Sequence, residues 1–209
     1  MKTIKLLALL LTTASLAFAQ DFEGKIMYKN EYKSKIPVVP NDQLSAMMGE
    51  TQEYAMKGGD YKSTTNGTLL QWQLYINKDN KLYSKFSNTA TIFWNDGAVS
   101  TDEVVKAEIN KGVVEILGRK CDELVLTCKN GIQKFYFSSE PKVNPKLFEN
   151  HKFANWNEII SKTHSMPLKM IIDVPQFSVE SVATEILPMK LESKLFELPA
   201  DSKLEKSPY

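Results

Sequence analysis

The chain has 209 residues, a formal net charge of +1 and 24% charged residues. Its 26 basic and 25 acidic side chains leave no basic excess of the kind that a nucleic-acid surface needs. The 43% of hydrophobic and 10% of aromatic residues exclude a disordered chain and are enough for one large core.

The N-terminus has the three regions of a cleavable secretory signal peptide. Lys2 and Lys5 form the positive region, residues 6–11 carry most of the apolar region, and Ala17 and Ala19 occupy the positions that a signal peptidase reads. We expect cleavage after Ala19, because the apolar run is shorter than the roughly 20 residues of a membrane anchor. Cleavage removes two lysines and no acid, so the charge of +1 becomes −1.

The compartment follows from the same segment. No cysteine stands after the cleavage site to carry a lipid, and no later stretch is apolar enough to span a bilayer. We therefore expect a soluble periplasmic or secreted protein with no stable membrane insertion.

The mature chain is a succession of short alternating segments and turn signals. Residues 103–110 fit either a helix or a strand, and Asn130-Gly131 is the strongest hairpin signal. A helix capped by Asn41 is expected to end at Gly49, and two more helical segments are expected from Asn144 or Pro145 toward Phe153 and over 155–162. The predicted strands are 22–32, 53–56, 61–65, 68–77, 81–87, 91–95, 112–117, 123–129, 132–138, 167–173 and 177–187, followed by a closing tail over 189–199.

Many short strands with one or two helices predict a mainly β fold of the α+β class. We expect a strongly curved antiparallel sheet, an incomplete β-barrel, with one or two covering helices. No repeat or linker divides the chain, so we predict a signal peptide over 1–19 and a single domain over 20–209.

Two cysteines, Cys121 and Cys128, are open to two interpretations. An oxidising compartment favours a disulfide between them. On one straight strand, however, seven residues span about 23 Å, and a disulfide needs Cα atoms within about 7 Å. A bridge would require a bulge or turn at Asp122-Glu123, and otherwise both thiols are free and buried. One cysteine pair and two distant histidines do not make a metal site.

The sequence contains no recognisable catalytic motif. Phosphate loops, nucleophile elbows and paired metal-binding histidines are missing from it. His151 and His164 are expected in loops or on the surface. The acid pairs Asp102-Glu103 and Asp122-Glu123 are expected as solvated turn charges. We therefore predict a protein that is not an enzyme and that has no cofactor.

A group of apolar residues on the predicted helices and at one strand end could line a ligand cavity. A curved sheet crossed by helices can enclose such a cavity, and methionine suits adaptable apolar contacts. The alternative is that these side chains simply fill the core. The candidates are Met47, Met48, Phe93, Trp94, Phe153, Trp156, Ile159 and Ile160.

Several short motifs, in order and spacing, resemble a group of uncharacterised secreted bacterial proteins. They are ILGRKC (116–121), KFYFS (134–138), MPLKM (166–170), TEI (184–186) and SKLFELPA (193–200). These families are similar in fold to the LolA/LolB lipoprotein carriers. The resemblance implies a LolA-like curved sheet covered by helices over an apolar cavity, which in the carriers holds the acyl chains of lipoproteins. Arg119 stands where the family has tyrosine.

Two functions remain open on the sequence. The first is a periplasmic protein that binds or carries an apolar or lipid-like ligand or a lipoprotein, with a lipid, an acyl chain or an envelope protein as partner. The second is a structural or interaction module of the cell envelope without a ligand. The chain carries no signal for its oligomeric state.

Overall fold

The computed structural model describes residues 21–208 and consists mainly of β-strands. The predicted signal peptide, including its cleavage site at Ala19, lies outside the described residues. The helices are α1 (Asn41–Met48) and α2 (Trp156–Thr163), with single 3-10 turns at Asn77–Asp79, Pro145–Leu147, Phe153–Asn155 and Ser193–Phe196. The strands are β1 (Gly24–Ser34), β2 (Thr51–Lys57), β3 (Asp60–Thr65), β4 (Leu70–Ile76), β5 (Lys81–Phe86), β6 (Ile92–Asp96), β7 (Val104–Ile116), β8 (Arg119–Cys128), β9 (Ile132–Phe137), β10 (Lys169–Asp173), β11 (Phe177–Pro188) and β12 (Leu204–Lys206).

All of these strands belong to one sheet with the order β12-β6-β5-β4-β3-β2-β1-β11-β10-β9-β8-β7. Strands β1 to β6 form one antiparallel meander and β7 to β11 form another. The two meanders join where β1 pairs with β11, with Ile26 opposite Ile186 and Tyr32 opposite Val179. Only β12 is parallel to its neighbour, β6, among the described strands.

The sheet is strongly curved. Leu82 of β5 and Met170 of β10 line the same cavity of about 360 Å³. These strands are six places apart in the sheet order, which would separate them by about 29 Å in a flat sheet. The sheet therefore curls around its inner face and leaves β7 and β12 as unjoined edges, which confirms the predicted incomplete barrel.

The two faces of the sheet are covered by different parts of the chain. Helix α2 lies on the inner face, where Ile159 and Ile160 enter the main hydrophobic core. The C-terminal tail covers the outer face, where Leu191 and Phe196 pack on Leu74 of β4. Within residues 21–208, no helix combines the length and the apolar character needed to cross a membrane.

Three local predictions were wrong or incomplete. The two segments predicted over 103–110 and 112–117 merge into the single strand β7 (Val104–Ile116), in which Gly112 adopts φ +62° and the ladder with β8 shifts register between Asn110 and Val114. The helix expected after Asn144 is only one 3-10 turn, since the chain then folds Phe148 and His151 into the core. Strand β12 was not predicted.

Candidate functional site

The inner face of the sheet is packed at one end and hollow at the other. Strands β1 to β4 run through both ends, so successive inner-facing positions of one strand have different surroundings. We call these two regions the packed end and the hollow end. The packed end is formed by Tyr28, Tyr75, Phe148, His151, Ile159 and Ile160, all of them fully buried.

A stack of aromatic rings fills the packed end. The His151 imidazole lies 3.7 Å from the Tyr75 ring, centroid to centroid, with the two planes 4° apart. Its Nε2 shares a hydrogen bond of 2.9 Å with the Tyr61 hydroxyl. Burial lowers the pKa of His151 to about 3, so the ring is neutral at ordinary pH. His151 lies in a loop, as the sequence predicted, but its complete burial there was not expected.

The hollow end contains a cavity of about 360 Å³. Its wall comes from β1 to β5, β10 and β11, and its cover comes from α1 and the turn before α2. Aromatic and methionine side chains alternate there with small hydroxyl side chains, and no Asp, Glu, Lys, Arg or His is among the lining residues. The principal apolar contacts are Tyr32, Met48, Tyr54, Phe153, Trp156 and Phe177.

Helix α1 places Met48 over the cavity. Asn41 does not cap the helix as predicted, because its Oδ1 accepts a hydrogen bond from the Ser34 backbone at the end of β1. The helix stops at Gly49, which has φ +98°, a conformation that favours glycine. A Cβ at Gly49 would lie 2.7 Å from the backbone nitrogen of Gly67, so the close approach of the two loops also requires glycine here.

A left-handed turn places Trp156 and Phe153 on the opposite side of the cavity. Ala154 and Asn155 have φ of +51° and +60°, which reverses the chain just before α2 begins. The Asn155 amide donates to Gln133 Oε1 at 3.3 Å and thereby fixes the turn to β9. The Trp156 ring then lies 6.1 Å from the Tyr54 ring.

The structure brings together three of the residues singled out in the sequence. Met48, Phe153 and Trp156 all line the cavity. Ile159 and Ile160 belong instead to the packed core, since both point from α2 into the tightly filled end of the inner face.

The other three singled-out residues lie outside the cavity lining. Met47 is half-buried on α1, one position before Met48. On β6, Phe93 lies opposite Ser84 in a separate groove, and Trp94 is covered by the ammonium group of Lys81 at 4.2 Å. Consecutive residues of a strand face opposite sides, so Phe93 and Trp94 do not share a site.

Most of the strand residues that line the cavity were missed. In the sequence, Tyr32, Tyr54 and Phe177 stand out only as part of the alternation of their strands. That alternation shows which residues share a face, but the same pattern continues into the packed end.

Both cysteines are free and buried. Both lie on β8, whose ladder with β9 runs without a register shift from Asp122 to Thr127. The separation of about 23 Å expected for a straight strand therefore applies, and the disulfide that the compartment favoured is not formed. Both thiols pack in the main hydrophobic core. Burial raises the pKa of each, and that of Cys128 reaches about 11.

Comparison with known proteins gives matches in structure only. No protein-family model matches the chain, and no curated protein matches it. The structure is similar to an uncharacterized conserved protein from Thermus thermophilus, with 8% identity, coverage of 90% of this chain and 93% of that chain, and a TM-score of 0.37.

Two further solved structures are similar to the chain. A LolA superfamily protein from Nitrosomonas europaea has 10% identity, coverage of 85% of this chain and 91% of that chain, and a TM-score of 0.38. The Mycobacterium tuberculosis lipoprotein LppX has 8% identity, coverage of 81% and 89%, and a TM-score of 0.32. At such identities the matches say nothing about a ligand.

Proposed function

We propose that this protein binds an apolar or lipid-like molecule in the cavity of the hollow end and carries it in the periplasm or outside the cell. One observation carries the proposal: a cavity of about 360 Å³ inside the curved sheet has a lining without acids or bases. Small-molecule sites are typically concave, mostly apolar and larger than about 300 Å³. The compartment is proposed from the signal peptide in the sequence.

The construction of the cavity wall also supports an apolar ligand. The sheet side supplies fixed aromatic surface, with Tyr54 and Tyr61 stacked at 4.9 Å between ring centroids. The cover is built from Met48 on a short helix and from Phe153 on a turn. Methionine adapts its shape to different apolar partners, so this cover suits chains that differ in length or branching.

We propose binding rather than catalysis at this site. Tyr61 lines the cavity and separates it from His151 through their hydrogen bond. A base with a pKa of about 3 accepts protons poorly at neutral pH, which makes His151 a weak general base. A broad hydrolase screen should stay at background, and a turnover that disappears in His151→Gln would contradict this part of the proposal.

Mass spectrometry of organic extracts tests the binding function. Protein purified without detergent should release an apolar compound at close to one equivalent. Ser181→Leu fills the cavity from β11 and should lower the amount at least about ten-fold. Ser178→Leu is the matched control, because Ser178 lies on the same strand outside the cavity lining, and it should retain the ligand.

Two results together would overturn the proposed function. The first is a wild-type protein that is empty after purification, and the second is its failure to take up a fluorescent apolar probe. The alternative of an interaction module of the cell envelope stays a prediction from the sequence.

A further inference from the structure

A polar cleft adjoins the cavity of the hollow end. It has a volume of about 460 Å³ and lies between the loop before β7, the β8–β9 turn and the β10–β11 turn. Ala154 and Ile172 line both the cleft and the cavity, so the two spaces share a rim. A molecule with an apolar part in the cavity can therefore extend a second part into the cleft.

Asp102 is the one acid or base among the residues that line the cleft. Its side chain was expected to be a solvated turn charge, but the residue is only 9% exposed, while the neighbouring Glu103 is exposed and paired with Lys129. The correction follows from Asn130, whose backbone nitrogen and side-chain amide both donate to Asp102 Oδ1, at 3.1 Å and 3.0 Å.

The second carboxylate oxygen of Asp102 is buried and has no hydrogen-bond partner among the described residues. Buried carboxylates in folded proteins are normally paired or fully hydrogen-bonded, because an unpaired buried charge is costly. Because Oδ2 is shielded from solvent, a donor in the cleft that Asp102 lines would reach it after a small movement of the side chain. A carboxylate or phosphate group would be repelled by Asp102, whereas an ammonium group would supply both the opposite charge and the N–H donors.

Other groups around the cleft agree with a cationic occupant. The Cys128 thiol has a pKa raised first by burial and then by the negative charge of Asp102. The Gln176 backbone carbonyl at the opposite wall accepts a hydrogen bond from the Lys35 backbone at 2.9 Å, and a carbonyl oxygen retains a second lone pair. The lining therefore offers an ammonium group the Asp102 carboxylate and further acceptors, beside the neutral hydroxyl and amide groups of Thr101, Asn130, Gln133 and Gln176.

One residue connects the cleft to the cover of the cavity. The Asn155 amide contacts the Cys128 sulfur at 3.6 Å and donates to Gln133 Oε1 at 3.3 Å. Asn155 directly precedes Trp156, which lines the cavity. A head group in the cleft and a chain in the cavity would thus both contact the turn that carries Ala154 and Asn155.

We propose that the natural ligand is an amphiphile with a primary ammonium head group, held by Asp102 Oδ2 in the cleft while its apolar chain occupies the cavity. This inference rests on the proposed function and narrows its ligand to one chemical class. The polar contact selects the head group, and the cavity selects an apolar chain.

Three probes of equal chain length test the selection: decylamine, decanoate and decanol, each titrated into the mature wild-type protein by calorimetry. We expect decylamine to bind at least about ten-fold more tightly than decanol, because its ammonium group forms one charge-assisted hydrogen bond with Asp102. Decanoate should bind more weakly than both, because Asp102 repels its carboxylate. Added salt should weaken the binding of decylamine and leave that of decanol unchanged.

Asp102→Asn keeps the shape of the side chain and an oxygen for Asn130. It should reduce the affinity for decylamine at least about ten-fold, to the level of decanol, and leave decanol binding unchanged. Glu103→Gln is the control, because it removes a charge from the next residue, which lies outside the cleft lining, and it should behave as wild type.

The outcomes separate the two proposals. Equal binding of all three probes, or a preference for decylamine that survives in Asp102→Asn, overturns the ammonium assignment and leaves the cavity function intact. Failure of every probe to bind overturns the ammonium assignment, and together with a protein that is empty after purification it overturns the cavity function as well. The wild-type comparison of decylamine with decanol decides the head-group question even if Asp102→Asn does not fold.

Discussion

The packed end and the hollow end of the inner face are built from the same strands but differ in the size of successive side chains. On β3, the inner positions change from Tyr61 through Ser63 to Thr65 as the strand leaves the packed end. Only the large aromatic residue reaches the His151 stack, and the small hydroxyl residues leave space above them. A curved sheet with uniform alternation can therefore be solid at one end and hollow at the other.

The largest effect on stability is expected from a substitution that removes a large side chain from the packed end. Phe148 is fully buried, and its ring lies 6.2 Å from those of His151 and Trp156. Phe148→Ala should lower the free energy of unfolding by about 3–5 kcal/mol, because the surroundings cannot collapse onto the space. Phe153→Ala, at the half-buried rim of the cavity, should cost less than half as much. Urea denaturation followed by circular dichroism measures both, and equal losses would contradict the distinction between the two ends.

Acid should weaken the packed end through His151. Its pKa is about 3 in the fold, against about 6.5 in an unfolded chain. Between these values the unfolded chain binds a proton that the folded protein does not, so stability falls as the pH falls through this window. The loss is about 1.4 kcal/mol per pH unit, and above pH 6.5 the contribution is constant.

Denaturation at several pH values between 4 and 7 checks this dependence on His151. His151→Gln should have a shallower slope than wild type, whereas His164→Gln, at an exposed position, should keep the wild-type slope. Identical slopes for wild type and His151→Gln would show that the buried ring does not carry the effect.

A smaller effect on stability and a specific effect on binding are expected at the cover of the hollow end. Met48 lines the cavity, and the adjacent Met47 does not. Met48→Ala should weaken the binding of an apolar probe by about three- to ten-fold, because the variant loses part of the apolar surface that methionine buries against the probe. Met47→Ala is the control and should bind the probe as wild type does. Fluorescence titration compares the two variants, and an equal loss in both would point to the helix rather than to the cavity.

The smallest effect is expected from reducing agents. Both cysteines are free within the packed core, so dithiothreitol should change the free energy of unfolding by less than about 0.5 kcal/mol. Iodoacetamide should modify the thiols slowly in the native protein and rapidly in urea, because burial limits access and raises their pKa. Mass spectrometry counts the modified thiols. Thiols that resist alkylation in urea until a reducing agent is added would reveal a disulfide.

The fold could be predicted from the sequence because its strands are short and clearly punctuated. Turn signals such as Gly58-Gly59 and Asn130-Gly131 separate strands whose alternation is regular. Strand β12 escaped prediction, since its three exposed residues have no pattern and are placed only by pairing with β6.

The site could be predicted only in part, for a physical reason. Met48, Phe153 and Trp156 stood out because they are large apolar residues on the covering segments. The lining residues of the strands depend on how far the sheet curls, which brings together positions that are distant in sequence. The burial of Asp102 depends on two hydrogen bonds from Asn130, and no sequence pattern around Asp102 predicts them.

The pairing of β1 with β11 has a consequence for the time course of folding. Along this ladder the partners are at least 143 positions apart in sequence, the nearest being Ser34 and Phe177. The two meanders can form from local contacts, but the sheet is joined only when almost the whole chain is available. Such non-local pairing slows folding, with times in the range of about milliseconds to seconds. The joining of the two meanders is therefore expected to limit the rate, and a chain that ends before β11 should stay open along the middle of the sheet.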